Sequence, residues 1–428
     1  MVYSRVNVAI IGSGSAGLAA AVSAFEEGAS VLLIEREVRL GGKLNQIIDN
    51  LFELEDHDVR LTGPELAVIK SSVLQDNGVA TLQQTHVIGI TRVQNVFHLT
   101  LSNRHGIIQV EAEKVILATG AYEQAPRQSV IHGTRPAGVL TAGTAQYYIN
   151  VLGQMPAQNC LILGSGNIAL NLARRLTLEG CKVMCVCEPL SEPQGSLAMV
   201  AECLHDFGIP LHLNRTVART VGTDRLRAVE VYETNKNGEQ IRRTQQVIKC
   251  DSLFLSMNLI CDTEFARSLG LEMCQNTHGP ICDHNNMTML DGLFTCGNAA
   301  YISSNPSHMI ESGMNAGRSA ARYFPYERSL IKVNANKDFL TVFPQYIDVT
   351  NCRNEISLYF RTASDARDKT VRVIINSVEA FSEDFVRLRP QETTRITVKI
   401  NSELTADSKV ELKLDRQRVV SEDTDTPH

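Results

Sequence analysis

The sequence predicts an α/β chain in which one strand–turn–helix–strand unit occurs twice, followed by an antiparallel β-sandwich. Three observations predict it. A buried apolar run, Val6–Ile11, leads straight into the glycine turn GSGSAG at 12–17, a breaker-free helix and the strand VLLIE at 31–35. The same order returns in CLILGSGNIALNLARRLTLEGCKVMCVCE from Cys160 to Glu188. After Tyr323 the pattern changes to period-two alternation: Ile356/Leu358/Phe360, Val371/Val373/Ile375, Ile396/Val398/Ile400 and Val410/Leu412/Leu414.

In the first unit the helix LAAAVSAFEE ends at Gly28. Alternating segments at Val87–Ile90, Phe97–Leu101 and Ile107–Val110 predict an antiparallel excursion, after which VILATG at 115–120 returns as a buried strand. Two copies this far apart indicate two lobes rather than a solenoid. The region from about 330 to 415 reads as the sandwich, with one face of each strand buried. The polar end, SEDTDTPH, reads as frayed.

The bulk numbers agree with several domains. A chain of 428 residues, 43% hydrophobic and 21% charged, has the composition of a soluble globular protein too long for one core. A net charge of −6 argues against nucleic acid or an anionic membrane as main partner. Glu26, Glu27 and Glu35 interrupt the early apolar segments, so no membrane span is expected. The N-terminal apolar stretch runs directly into the glycine turn, and a cytoplasmic chain without a secretory signal is the expectation. Its 11 cysteines are scattered, with no CxxC or CxxxxC pair, and read as reduced, mostly buried thiols.

Both turns fit Rossmann-like dinucleotide fingerprints. Gly12 permits the tight turn, Gly14 admits a pyrophosphate close to the backbone, and Gly17 lets the helix pack on the sheet. The helix N-terminus, opening with Ser15 and Ala16, offers free N–H groups and partial positive charge to phosphate. Glu35 ends the second strand where an adenosine ribose is bound. The second set is Gly164, Gly166 and Ala169, with Glu188 as the acid. Glu188 is followed by Pro189, with no arginine nearby. A carboxylate repels a 2′-phosphate, which favours NAD over NADP unless a later loop supplies a cation.

At this point the chain resembles the FAD/NAD(P)-binding pyridine nucleotide-disulfide oxidoreductase-like superfamily, glutathione-reductase-like and thioredoxin-reductase-like enzymes included, over about residues 5–325. GSGSAG with Glu35 resembles its FAD fingerprint. GGKLNQ at 41–46 resembles the glycine loop that follows, VILATG the motif where the chain leaves the FAD domain, and GLFTCGNAA at 292–300 the late flavin motif. The resemblance implies FAD and NAD as cofactors, with the NAD domain inserted in the FAD domain. The expected domains are residues 1–150 and 275–326 for FAD, 151–274 for NAD, 330–415 for the sandwich and 416–428 for the tail.

The implied FAD residues are Gly12, Gly14, Ser15, Ala16, Gly17, Glu35, Gly42, Val87, Thr119, Gly120, Gly297 and Asn298. The implied NAD residues are Gly164, Gly166, Ala169 and Glu188. Asn298 stands where the family usually has Asp; its amide oxygen still accepts a ribityl hydroxyl, with one negative charge fewer. Asn305 and Pro306 read as N-cap and first turn of a helix whose positive end, in the family, faces the flavin.

A closer resemblance is to flavoprotein subunits of bacterial opine, proline and sarcosine dehydrogenase-type complexes and of hydrogen cyanide synthesis. GTRPAGVLTAGTAQ at 133–146 and RRLTLEG at 174–180 carry it. Some members add a cysteine-rich iron–sulfur domain; here only Cys352 lies beyond residue 325, too few for a four-cysteine cluster. The implied function is hydride exchange between NAD(H) and FAD, without a redox-active disulfide, in a subunit that partners another dehydrogenase subunit or its own copy. Alternatives are a stand-alone NADH oxidase or reductase for a small-molecule acceptor, and a non-catalytic nucleotide-binding assembly subunit.

Other side chains carry two readings each. Cys181, Cys185 and Cys187 fall on one strand face, as packed core thiols or as a metal site lacking a local His; no metal is expected. Cys296 reads as a buried strand residue. His308 reaches the flavin edge or serves in capping and packing. Lys43, Asn45 and Gln46 line the ring or the substrate side, and no catalytic residue is singled out, because the cofactor carries the chemistry.

Overall fold

The computed structural model describes residues 5–50, 52–54, 57–124, 131–235, 239–400 and 404–416. The chain divides into two compact units. The first comprises Met1–Gly42, Ile69–Gly120 and Cys261–His428; the second comprises Lys43–Val68 and Ala121–Ile260.

The first unit opens with β1 (Val6–Ile11), α1 (Ser15–Glu26) and β2 (Val31–Ile34). Both strands are almost wholly apolar because helices and sheet cover them. There follow β3 (Ala80–Leu82), β4 (His86–Val93), β5 (Val96–Asn103) and β6 (Gly106–Leu117). They form a seven-stranded sheet in the order β3-β2-β1-β6-β5-β4, with a late strand added beside β6. The last leg of the antiparallel excursion and the buried return prove to be one continuous strand. The first half of β6 pairs antiparallel with β5, and its second half pairs parallel with β1.

The second unit repeats the plan. Its parallel sheet runs β7-β14-β8-β9-β10, using β7 (Val139–Thr141), β8 (Asn159–Leu163), β9 (Lys182–Glu188), β10 (Leu211–Leu213) and β14 (Ser252–Leu255). Between β8 and β9 lies α2 (Asn167–Leu178), its apolar face buried on the sheet. A meander of β11 (Arg215–Gly222), β12 (Leu226–Thr234) and β13 (Gln240–Lys249) covers the other face through Val217, Leu226, Val229 and Val231.

One expectation fails here. Cys181, Cys185 and Cys187 do not share a face: Cys181 packs with Cys160 in one core, and Cys185 and Cys187 lie in the other. The register explains it. Cys160 pairs with Val183 but Leu161 with Cys185, so a bulge at Met184 reverses the alternation midway along β9.

The chain returns to the first unit with β15 (Leu293–Thr295), parallel to β6, and α3 (Pro306–Arg322). Asn305 caps α3, its Oδ1 accepting from the Ser307 N–H at 2.9 Å, with Pro306 in the first turn. Beyond Arg322 come β16 (Leu330–Ala335), β17 (Phe339–Phe343), β18 (Tyr346–Asp348), β19 (Glu355–Thr362), β20 (Ala366–Ile375), β21 (Val378–Leu388), β22 (Thr394–Lys399) and β23 (Val410–Arg416). They make sheets β18-β16-β23-β20-β21 and β17-β19-β22 around a core that includes Ile356, Leu358, Phe360, Val371 and Val373. The pairing is antiparallel except for β16 with β23, which is parallel. The expected tail, from residue 417 on, lies outside the described residues.

Candidate functional site

The first fingerprint is built by crowding on one side and openness on the other. Gly12 has φ +98°, and a Cβ there would lie 2.4 Å from the Ala118 carbonyl oxygen. At Gly17 a Cβ would lie 1.9 Å from the Gly12 oxygen, so helix and strand approach closer than any side chain allows. Gly14, by contrast, faces open space. It is the N-cap of α1 and offers no side-chain cap, leaving the first-turn N–H groups for an anion.

Glu35 lies at the end of β2, 5% exposed, and the protein fixes both its oxygens. Oε2 accepts from the Ser13 N–H at 2.9 Å and from the Ser13 hydroxyl; Oε1 accepts from the Glu37 N–H at 2.9 Å. Ser13 also holds the following loop, its Oγ accepting from the Gly41 N–H at 3.1 Å. That contact draws Gly42 toward Gly14: a Cβ at Gly42 would lie 3.2 Å from the Gly14 Cα.

The second fingerprint repeats this arrangement atom for atom. Gly164 has φ +99°, with a Cβ excluded by the Ser256 oxygen at 2.2 Å, and Gly166 is open and caps α2 without a side-chain bond. Ala169 is fully buried where the first copy has Gly17. Glu188 Oε2 accepts from Ser165 N at 3.0 Å and Ser165 Oγ at 2.6 Å, and Oε1 accepts from Leu190 N at 3.0 Å. Ser165 Oγ in turn accepts from Gln194 N at 2.9 Å. Burial raises the Glu188 pKa, opposed by the bonds from Ser165 and Leu190.

The serines were not among the residues singled out from the sequence. The signal was present as the Ser in both GSG triplets, but a fingerprint read for its glycines passes over the residue between them.

The other FAD candidates take these places. Ser15 and Ala16 open α1. Val87 lies on β4 opposite Leu101, two residues beyond Thr85, whose N–H donates to the Glu35 carbonyl at 3.0 Å. Thr119 donates its hydroxyl to the Asp262 carbonyl at 3.0 Å, and Gly120 faces open space. Gly297 donates its N–H to Ser312 Oγ at 3.1 Å and lies against Ala16: a Cβ on Gly297 would be 2.7 Å from the Ala16 Cβ. Asn298 Oδ1 accepts from the Ser303 N–H at 3.0 Å, which leaves it one lone pair for another donor.

Of the two readings for His308, the contacts are those of capping and packing. Nδ1 meets Ser303 Oγ at 3.1 Å, Nε2 meets Asn305 Nδ2 at 3.3 Å, and the ring lies edge-on to Tyr359. Burial lowers its pKa. Cys296 is fully buried after β15, and burial pushes its thiol up to about 12, far from a reactive thiolate. Lys43, Asn45 and Gln46 belong to a short 3-10 turn, Gly42–Gln46, where the Gln46 carbonyl accepts from Asn150 Nδ2 at 2.8 Å.

The fit to nucleotides therefore rests on shape and donors. Each lobe has an open glycine at an uncapped helix end and a buried carboxylate at the tip of the next strand.

A family model described as pyridine nucleotide-disulphide oxidoreductase matches residues 6–320. An opine oxidase subunit of Agrobacterium tumefaciens (strain Ach5) is 25% identical over 311 residues, covering 68% of this chain and 61% of that protein. Hydrogen cyanide synthase subunit HcnB of Pseudomonas protegens is 26% identical over 290 residues, covering 62% and 59%. The chain thus spans about three-fifths of the length of these curated relatives. Among solved structures, the thioredoxin reductase of T. acidophilum aligns with TM-score 0.60 at 20% identity, covering 74% of this chain and 98% of that one, a likeness of fold.

Proposed function

The chain belongs to the pyridine nucleotide-disulphide oxidoreductase family, and from that premise we propose that it exchanges hydride between NAD(H) and FAD as the flavoprotein subunit of a multi-subunit dehydrogenase. It is an oxidoreductase of the flavoprotein type, and the cofactors of its family are FAD and NAD(P). The duplicated Ser–Glu cradle carries the reading. Two lobes with one geometry argue for two dinucleotides, each with its adenosine ribose near a buried carboxylate.

When bound, FAD supplies a two-electron centre that the side chains lack. The chain's own task is to hold and orient. Gly12, Gly14 and Gly17, with the N-terminus of α1, would take the FAD pyrophosphate, and Glu35 the ribose. Gly42, Val87, Thr119, Gly120, Gly297 and Asn298 would complete that site. Gly164, Gly166, Ala169 and Glu188 would hold NAD. Burial raises the Glu188 pKa against three hydrogen bonds that favour the carboxylate; a 2′-phosphate there meets a buried acid, which favours NAD over NADP.

The family's disulfide chemistry uses a close cysteine pair in sequence, and no CxxC or CxxxxC is present. The role within a complex is supported by the relatives, which are named as subunits of opine oxidase and hydrogen cyanide synthase. The region from 330 to 415 is proposed as a sandwich domain that contacts the partner, and its deletion should abolish assembly while flavin stays bound.

Steady-state kinetics of the purified chain with a dye acceptor test the nucleotide assignment. Glu188→Ala should lower kcat/KM for NADH about tenfold, as loss of charged hydrogen bonds does, and change NADPH less. An equal loss for both nucleotides contradicts the role of Glu188. Fast turnover without any partner favours the stand-alone reductase.

A further inference from the structure

Within the first unit, α3 and the sandwich strands enclose a cleft of about 170 Å³ whose lining includes no residue of either fingerprint. The face of α3 opposite α1 lines it with Glu311, Asn315 and Arg318; the sandwich contributes Phe343, Arg353 and Ile356. The charges in it are unbalanced. Arg353 donates from Nη1 to Asn315 Oδ1 at 2.9 Å and from Nη2 to Ser319 Oγ at 3.0 Å, both neutral acceptors. Arg318 makes no hydrogen bond or ion pair among the described residues.

The nearby carboxylates do not balance these arginines. Glu311 is taken by Arg395 in a two-point pair, both contacts 2.7 Å, and Glu27 by Arg322, both contacts 2.6 Å. Glu355, at the exposed rim, forms no ion pair with either arginine among the described residues. Burial, then the charges of Arg322 and Arg318, holds the Arg353 pKa below its usual value, against the weaker pull of Asp283 and Glu27.

A second observation points the same way. His284, 8% exposed, also lines the cleft. Its Nδ1 accepts from the Asp348 N–H at 3.2 Å, so the ring proton sits on Nε2, which is buried and makes no hydrogen bond. Two guanidinium groups sharing a half-buried cleft repel, and an orphaned donor beside them adds its own desolvation cost. An anion relieves both.

We propose that this cleft binds a small oxyanion, a carboxylate or a phosphate, gripped by Arg318 and Arg353 with His284 Nε2–H as neutral donor. Guanidinium forks match the oxygens of either group. Phe343, Pro344 and Ile356 form an apolar wall suited to a short carbon chain behind the charged head.

The test uses the full flavin-loaded chain at constant ionic strength, with thermal unfolding followed as inorganic phosphate or succinate replaces chloride. The expected result is a saturable rise in Tm with at least one of them. A response to phosphate alone assigns a phosphoryl ligand, and a response to succinate alone a carboxylate. Arg318→Gln, which sacrifices no bond within the protein, should weaken the apparent affinity about tenfold. His284→Gln should weaken it severalfold. No rise beyond chloride with either anion overturns the proposal. So does an undiminished rise in Arg318→Gln, because the anion would then sit elsewhere, such as at a glycine fingerprint.

Discussion

Ser13 and Ser165 are small residues with a large structural task. Each gives both its N–H and its hydroxyl to one oxygen of a buried glutamate and accepts a backbone N–H from the loop beyond it. Strand tip, acid and the following loop are thereby tied to one serine hydroxyl. Ser165→Ala removes a donor from a buried carboxylate, so it should cost about 1–3 kcal/mol of stability in chemical denaturation. An unchanged midpoint would mean that water replaces the hydroxyl. His284 makes a pH prediction. Burial, ahead of Arg353 and against the Asn351 backbone, lowers its pKa from 6.5 to about 4. Above 6.5 neither folded nor unfolded chain protonates it; between 6.5 and 4 only the unfolded chain does. Its contribution is therefore complete above 6.5 and is lost as pH falls, by about 1.4 kcal/mol per unit. His284→Gln should flatten that slope of stability against pH; an unaltered slope would assign the acid sensitivity to other groups.

At the scale of elements, the contact between α1 and α3 decides how the late motif is held. Gly313 and Gly317 press on α1 so closely that a Cβ would lie 2.1 Å from the Ala16 oxygen and 2.2 Å from Ser23 Oγ. Gly313→Ala must push the helices apart, which moves Ala16 and the adjoining Gly297. It should cost about 1–3 kcal/mol and lower the bound flavin measured after purification. Full flavin retention would show the contact to be irrelevant to the site. The same elements show what the sequence disclosed. β1, α1, α2 and β8 were legible because their burial is one- or two-sided and regular. β13 and β21 were not: both are mostly exposed and lack an apolar period, so only pairing with their neighbours defines them. The bulge at Met184 was invisible for a related reason, since alternation predicts a face only while the register holds. The serine contacts were hidden because they depend on a loop more than twenty residues away.

On the scale of the whole molecule, two lobes carry one glycine fingerprint and one buried carboxylate each, and a sandwich is added beyond the region that the family model matches. The glycine spacings made the two lobes legible; the anion cleft between α3 and the sandwich was not, because its arginines come from segments that no motif connects. Among the described residues no helix is long and apolar enough to cross a membrane. The central claim is that nicotinamide hydride reaches a flavin held by this chain. Anaerobic titration of the purified chain with NADH, followed in the visible flavin absorbance, tests it directly. Bleaching should be complete near one equivalent of NADH per flavin, with NADPH far less effective. A flavin band unchanged by excess NADH would contradict hydride exchange and leave the chain as a nucleotide-binding assembly subunit.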